Sequence, residues 1–188
     1  VVEKWGKVEI LVNNAGIIRD GLLATMDSEQ WQDVIDTNLT SVFNFCQAAS
    51  RQMMSQRYGR IINMSSVAAD VSNPGQANYA AAKLGIVGLS KVAALEYAAQ
   101  GSRDSGGITV NCICPGWVET PLIEPQMEAR SGDGTRDDGV RALLSEKQPS
   151  LRMTLPAEIG ALAVFLCRRE AHNITGAALP VDGGWTAQ

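Results

Sequence analysis

The chain has 188 residues, 45% of them hydrophobic and 19% charged, with a net charge of -4 and a pI of about 5.0. That is one domain's worth of ordinary globular composition, enough to bury a core. The acidic balance argues against a nucleic-acid partner, which calls for a basic patch; no apolar run approaches the roughly 20 residues of a membrane helix; and the start, Val1-Val2-Glu3-Lys4-Trp5, lacks the basic-then-apolar pattern of a signal peptide.

In chain order, residues 7–14 form a short apolar run ending in Asn13, Asn14 and Gly16, which predicts a buried strand that delivers a loop. Residues 27–56 predict one helix. Trp31, Val34, Ile35, Asn38, Val42, Cys46, Ala49 and Met53 recur at helical spacing, and Asp27 with Gln30 resembles a capping box. Residues 60–64 read as a second buried strand leading into Ser65-Ser66. Residues 76–99 read as a helix rich in small residues that carries Tyr79 and Lys83. Residues 108–114 read as a third strand, stopped by Pro115-Gly116.

Residues 119–150 predict a long, mostly helical excursion. Within it, residues 132–139 are rich in glycine but match neither a dinucleotide fingerprint nor a calcium loop, and are expected to be a solvated loop. A helix over 156–168 has Pro near its first turn, and a last short strand over 178–181 closes on Gly183-Gly184. His172, the one histidine, falls in a polar turn and reads as a surface residue. Cys46, Cys112, Cys114 and Cys167 lack zinc-ligand spacing and read as small core residues, so no metal is expected. Cys112 and Cys114, two apart on a strand, point to one face. The default setting is reducing and cytoplasmic.

Strands alternating with helices imply an α/β protein with a parallel sheet, here one domain over 1–188. Such sheets carry their sites at the carboxyl ends of the strands. Asn13 and Gly16, Ser66, and residues 115–120 all fall there, around one crevice. Tyr79 and Lys83 are four apart and share a helix face. A phenol normally holds its proton until about pH 10. A nearby ammonium is expected to pull that value toward neutrality. By itself the pair is common on surface helices; its company gives it meaning.

Together Asn13-Asn14-Ala15-Gly16, Asn38, Ser66, Tyr79, Lys83 and Pro115-Gly116 resemble the short-chain dehydrogenase/reductase family, in order and over essentially the whole chain. The resemblance implies a Rossmann-type doubly wound sheet, NAD or NADP as cofactor, a small-molecule substrate and a homotetramer. It implies Tyr79 as the general acid/base, Lys83 as its pKa-lowering partner and a contact of the nicotinamide ribose, and Ser66 as holder of the substrate oxygen. Asn38 would bend its helix and anchor a relaying water. Asn13, Ala15 and Gly16 would support the sheet and cofactor pocket. Pro115, Gly116, Val118 and Thr120 would line the nicotinamide.

The two halves of the chain point to different substrates. Residues 13–23, 37–44 and 75–79 look most like 3-oxoacyl-carrier-protein reductases and acetoacetyl-CoA reductases. Residues 113–118, 143–151 and 181–186 look most like bacterial 3-hydroxybutyrate dehydrogenases. The latter resemblance implies Gln126 as a contact for a free carboxylate and Trp117 and Trp185 as pocket walls. Against it, Ile18, Ala68 and Gln76 stand where that group carries Gln, His and Lys, so Gln76 is a candidate substrate contact of another kind. A carboxylate buried without a cationic partner is costly. The substrate loop tips the expectation to 3-hydroxybutyrate/acetoacetate, with a 3-oxoacyl thioester as the alternative.

The family's opening strand, glycine-rich turn and helix are not found in this sequence. By comparison with a complete doubly wound domain, roughly 70 residues are expected to precede it. Of the family's sheet order, 3-2-1-4-5-6-7, the strands present would be 4-5-6-7. The strand near Ile10 would then have an unpaired apolar edge. This leaves a further alternative, an inactive fragment whose role is oligomerisation.

Overall fold

A computed structural model describes residues 1–102 and 104–188. Four parallel strands, β1 (Ile10–Asn13), β2 (Tyr58–Met64), β3 (Gly107–Pro115) and β4 (Ala178–Val181), lie side by side in chain order. Asn13 stands opposite Asn63, Met64 opposite Ile113 and Pro115 opposite Val181, so the strands discharge their loops at one edge. This is the α/β parallel architecture that the alternating pattern predicts.

Successive side chains on a strand leave opposite faces, and the core divides accordingly. Ile61, Val110, Cys112 and Cys114 join one cluster with Val42, Cys46, Met53 and Ile86 of the helices α3 (Ser41–Gln56) and α4 (Ala77–Tyr97). Ile62 and Ile113 join a second cluster with Ile159 and Leu166 of α7 (Pro156–Leu166). Helices thus cover both faces of β2 and β3, and the strand at β3 is a near-continuous buried run. Cys112 and Cys114 share a face, as their spacing requires.

Three expectations need correction. β1 is not a buried strand: Ile10 is 50% and Val12 44% exposed. Among the described residues β1 pairs only with β2, and α7 lies against β2 and β3, so nothing covers those two side chains. The helix over 27–56 is not continuous. A short helix, α2 (Ser28–Ile35), starts with the expected Asp27–Gln30 capping box, and a π-helical turn over Asp36–Thr40 then separates it from α3. Asn38, fully buried in that turn, exchanges two hydrogen bonds with the main chain of Ile17, at 2.8 and 2.9 Å. The wider turn lets its amide face inward at the cost of the regular helix ladder.

The third correction concerns residues 132–139. The excursion folds as α5 (Glu124–Ser131) and α6 (Arg136–Lys147), and Thr135 with Asp138 forms a capping box that starts α6. Gly139 is buried, and any Cβ there would collide with the Met127 carbonyl of α5. The glycine is therefore a helix-packing residue and not a loop residue. The first helix, α1 (Val2–Trp5), is a single turn ended by left-handed Gly6. No helix among the described residues is long and apolar enough to cross a membrane.

Candidate active site

A cavity of about 330 Å³ opens at the carboxyl ends of the strands. Its floor is the junction of β2 with α4. β2 ends at Met64, and Ser65 continues its pairing by donating its amide to the Ile113 carbonyl. Ser66 then caps a 3₁₀ turn over Val67–Ala69, its Oγ accepting from the Ala68 amide at 3.1 Å. That bond uses a lone pair of the hydroxyl and leaves the Ser66 O–H able to donate, with the Tyr79 phenol as its neighbour.

Tyr79 sits in the first turn of α4 and Lys83 one turn later. Asn78 fixes the start of the helix by accepting from the Tyr79 amide and donating to the carbonyls of Arg19 and Gln30. Lys83 is 4% exposed, and both of its ends are tied to the end of β2. Its Nζ donates to the Met64 carbonyl at 2.8 Å, and its own carbonyl accepts from Ser65 Oγ at 2.8 Å.

The expected depression of the tyrosine pKa does not occur in the ligand-free chain. Burial pushes the Tyr79 phenol above its ordinary value of 10.0, the Ser66 hydroxyl pulls the other way, and Asp20 adds a further upward push. The ammonium lies over the ring face, 5.4 Å from its centroid. Burial acts on the lysine as well. It carries Lys83 down from 10.5 to about 8, partly offset by the neighbouring Cys112 and Cys114 thiols. Desolvation penalises both charged forms, so each group is held toward neutrality.

Of the residues singled out in the sequence, Ser66, Gln76, Tyr79 and Lys83 line one side of the cavity, with Gly16 beside them. Pro115, Gly116, Trp117, Val118, Thr120 and Trp185 line the other. Asn38 lies just behind Gly16: a Cβ at that glycine would be 3.4 Å from Asn38 Oδ1 and 3.6 Å from Lys83 Nζ. Gln76 is committed, accepting from Asn73 and donating to Asp20 at 3.3 Å. Asn13 is a buried tie between strands, donating to Asn63 Oδ1 at 2.8 Å, and Ala15 is exposed; neither lines the cavity. Gln126 does not line it either. Its main-chain carbonyl accepts from Arg130 and its side-chain Oε1 is buried without a partner. The carboxylate contact expected of Gln126 therefore finds no support in the lining of this cavity.

Asn14, part of the motif read in the sequence, lies in the lining, whereas sequence reasoning did not mark Ser65, Asn73, Pro156 and Ile159 as site residues. Ser65 adjoins Ser66, so its neighbour was a signal. Pro156 and Ile159 come from the start of α7, far along the chain, and no local pattern marks them.

A nicotinamide dinucleotide fits these residues at its nicotinamide end. The Lys83 ammonium has three donors and, among the described residues, one hydrogen bond. It is buried, and the missing side chain of Gly16 leaves it approachable. A ribose diol would satisfy the remaining donors.

The family model described as enoyl-(acyl carrier protein) reductase matches residues 1–186. The 3-oxoacyl-(acyl-carrier-protein) reductase FabG of Vibrio cholerae is 43% identical over 184 residues, which cover 98% of this chain and 69% of the relative. The D-beta-hydroxybutyrate dehydrogenase of Cupriavidus necator is 43% identical over 190 residues, covering 98% and 70%. The FabG reductase of Escherichia coli (strain K12) is 45% identical over 181 residues, covering 96% and 68%.

Proposed function

The chain belongs to the short-chain dehydrogenase/reductase family of NAD(P)-dependent oxidoreductases, and from that premise we propose that it interconverts the 3-oxo and 3-hydroxy forms of a short acyl unit, preferring a neutral thioester. One observation carries the preference. Among the described residues, Lys83 is the single cationic side chain in the lining, and it is tied to the Met64 carbonyl. A free carboxylate entering this cavity would lose water without gaining a charged partner. A thioester carbonyl carries no such penalty.

The residues divide the work as follows. The Ser66 O–H, which neighbours the Tyr79 phenol, donates to the substrate's 3-oxo oxygen and holds it there. Tyr79, which burial favours in its protonated form, gives its proton to that oxygen during reduction; in oxidation its phenolate is the form that takes the hydroxyl proton. The protonated Lys83 stabilises the phenolate that reduction leaves behind. Asn38 and Gly16 keep the approach to Lys83 open. Pro115, Gly116, Val118 and Thr120 would hold the nicotinamide, which supplies or accepts the hydride.

The second reading, 3-hydroxybutyrate oxidation, is favoured by the Trp117–Trp185 pair. Its ring centroids lie 5.4 Å apart in the cavity lining, an apolar wall that suits a small acyl group. The homotetramer belongs to the same proposal, supported by apolar side chains left outside on α3 and α4, among them Phe45 at 60% and Leu95 at 80% exposure. Four unpaired thiols suit a reducing, cytoplasmic setting.

The test is absorbance of NADH and of NADPH, each with acetoacetyl-CoA and with acetoacetate. Consumption with the thioester at a kcat/KM at least tenfold above that for the acid supports the thioester reading. The reverse order establishes the free acid. Consumption with neither would leave oligomer formation as the chain's own property, read by sedimentation.

A further inference from the structure

Two indoles, Trp117 and Trp185, form part of the cavity wall, and what holds them is a third residue. Trp117 makes no hydrogen bond through its indole: Nε1 is buried without a partner. Its ring is placed by stacking on Trp185, at 5.4 Å and 39°, and by its main chain. There its carbonyl accepts from the Thr154 amide at 2.9 Å, and its amide donates to Gln148 Oε1 at 3.2 Å.

Gln148 is 2% exposed, unusual for a glutamine. Both ends of its side chain are spent. Oε1 takes the Trp117 amide, and Nε2 donates to the Arg152 carbonyl in a short contact. Two glycines make room for it. A Cβ at Gly116 would be 2.9 Å from Gln148 Oε1, and one at Gly183 would be 2.7 Å from Gln148 Cγ. The Gly183 carbonyl accepts from Ser150, and Asp182 accepts from Gly184 and Thr186, which fixes the turn carrying Trp185. The neighbouring Lys147 ammonium lies over the Trp185 ring, 5.8 Å from its centroid. One buried side chain therefore ties the loop after β3 to the turn after α6 and packs against the turn after β4.

We propose that Gln148 is the positioning residue that sets the Trp117–Trp185 wall and, through it, the fit of the substrate's acyl group. The inference rests on the reading of this cavity as an acyl site. It assigns Gln148 no contact with substrate: its effect falls on binding, while the Tyr79 proton transfer across the cavity is left alone.

The test uses two variants. Gln148→Met keeps the length and removes both hydrogen bonds; Gln148→Asn keeps the polarity but is too short to span Trp117 and Arg152 together. Two readouts are taken well below the melting temperature. The first is the circular-dichroism couplet of the closely stacked indoles, which needs no substrate. The second is the split between KM and kcat for acetoacetyl-CoA. Expected are a weakened couplet and a KM raised about tenfold with kcat within about twofold. In a Trp117→Phe background the Gln148 change should add little further to KM.

A folded variant with the wild-type couplet and KM, lowered only in thermal stability, would overturn the proposal. So would a lost couplet with unchanged KM. If wild type turned over neither acyl substrate, the functional reading would fail separately, and the couplet alone would still decide whether Gln148 sets the wall.

Discussion

The two sides of the cavity are held by different physics. On the side of β2 and α4, Lys83, Ser65, Asn63 and Ser90 are buried polar groups with hydrogen bonds near 2.8 Å, such as Ser65 to Lys83 and Asn63 to Ser90. On the side of α5 and α6, a small cluster of Ile123, Met127 and Leu143 is framed by exposed ion pairs, Arg130–Glu146, Arg136–Glu124 and Arg136–Glu119. Buried hydrogen bonds in low dielectric are stiff and costly to break. Exposed ion pairs are weak and screened by salt. The proposed proton transfer therefore rests on the rigid side, while the α5–α6 pair, which adjoins the lining at Ile123, is the part that can adjust.

The largest test breaks the rigid side at its reacting atom. Tyr79→Phe should lower turnover by about 10²- to 10⁴-fold while unfolding curves stay close to wild type. Near-normal kcat would remove the phenol from the proton transfer.

Lys83→Met should separate the cost of the buried ammonium from its use. Lys83 releases its proton at about 8 in the folded chain and at its ordinary 10.5 when unfolded. The folded state therefore binds fewer protons between those values, and stability rises with pH there. Below pH 8 the full penalty is present, on the order of 3 kcal/mol. Urea unfolding should show Lys83→Met more stable than wild type at pH 7, with the difference between them shrinking from pH 8 to 10. In both proteins the raised thiols, Cys112 at about 11 among them, and above pH 10 the raised Tyr79 work in the opposite sense, because the unfolded chain ionises first. In the same range, kcat/KM for reduction should fall as pH passes about 8, since that ratio reports the free enzyme. A profile level to pH 10 would contradict the lysine's role.

On the adjustable side, Gly139→Ala should force α5 and α6 apart and cost about 1–3 kcal/mol by overpacking, seen as a lowered urea midpoint. High salt is gentler: amide exchange in α5 and α6 should quicken several-fold while β2 and β3 do not change, and equal acceleration would erase the contrast between the two sides. Smallest of all, Gln126→Ala should change KM less than about twofold for thioester and acid alike. It removes a partnerless buried oxygen, so stability should not fall. A selective rise in KM for the acid would restore Gln126 as a carboxylate contact.

Much of this was legible because its causes are local in sequence. The apolar runs at 60–64 and 108–114 form β2 and β3 because burial on both faces leaves no alternation to read. The Asp27–Gln30 capping box is set within four residues. Tyr79 and Lys83 share a face through helix pitch alone. Ser66, Gly116 and Thr120 reach the cavity because strand ends in a parallel sheet point one way. The failures share a different cause. The exposure of Ile10 and Val12 depends on what lies beside β1. The π-helical turn depends on Ile17, which Asn38 meets only once the chain has folded. Gly139 reads as loop composition until Met127 is placed against it.

The sequence by itself determined the alternation of strand and helix, the family, and the placing of Tyr79 and Lys83 on one helix face, since hydrophobic periodicity and helix pitch act over a few residues. Only the tertiary structure decided the electrostatic state of Tyr79 and Lys83, the absence of Gln126 from the cavity lining and the hold of Gln148 on Trp117. Those are matters of desolvation and of contacts between segments far apart in the chain, and they do not exist until the segments meet.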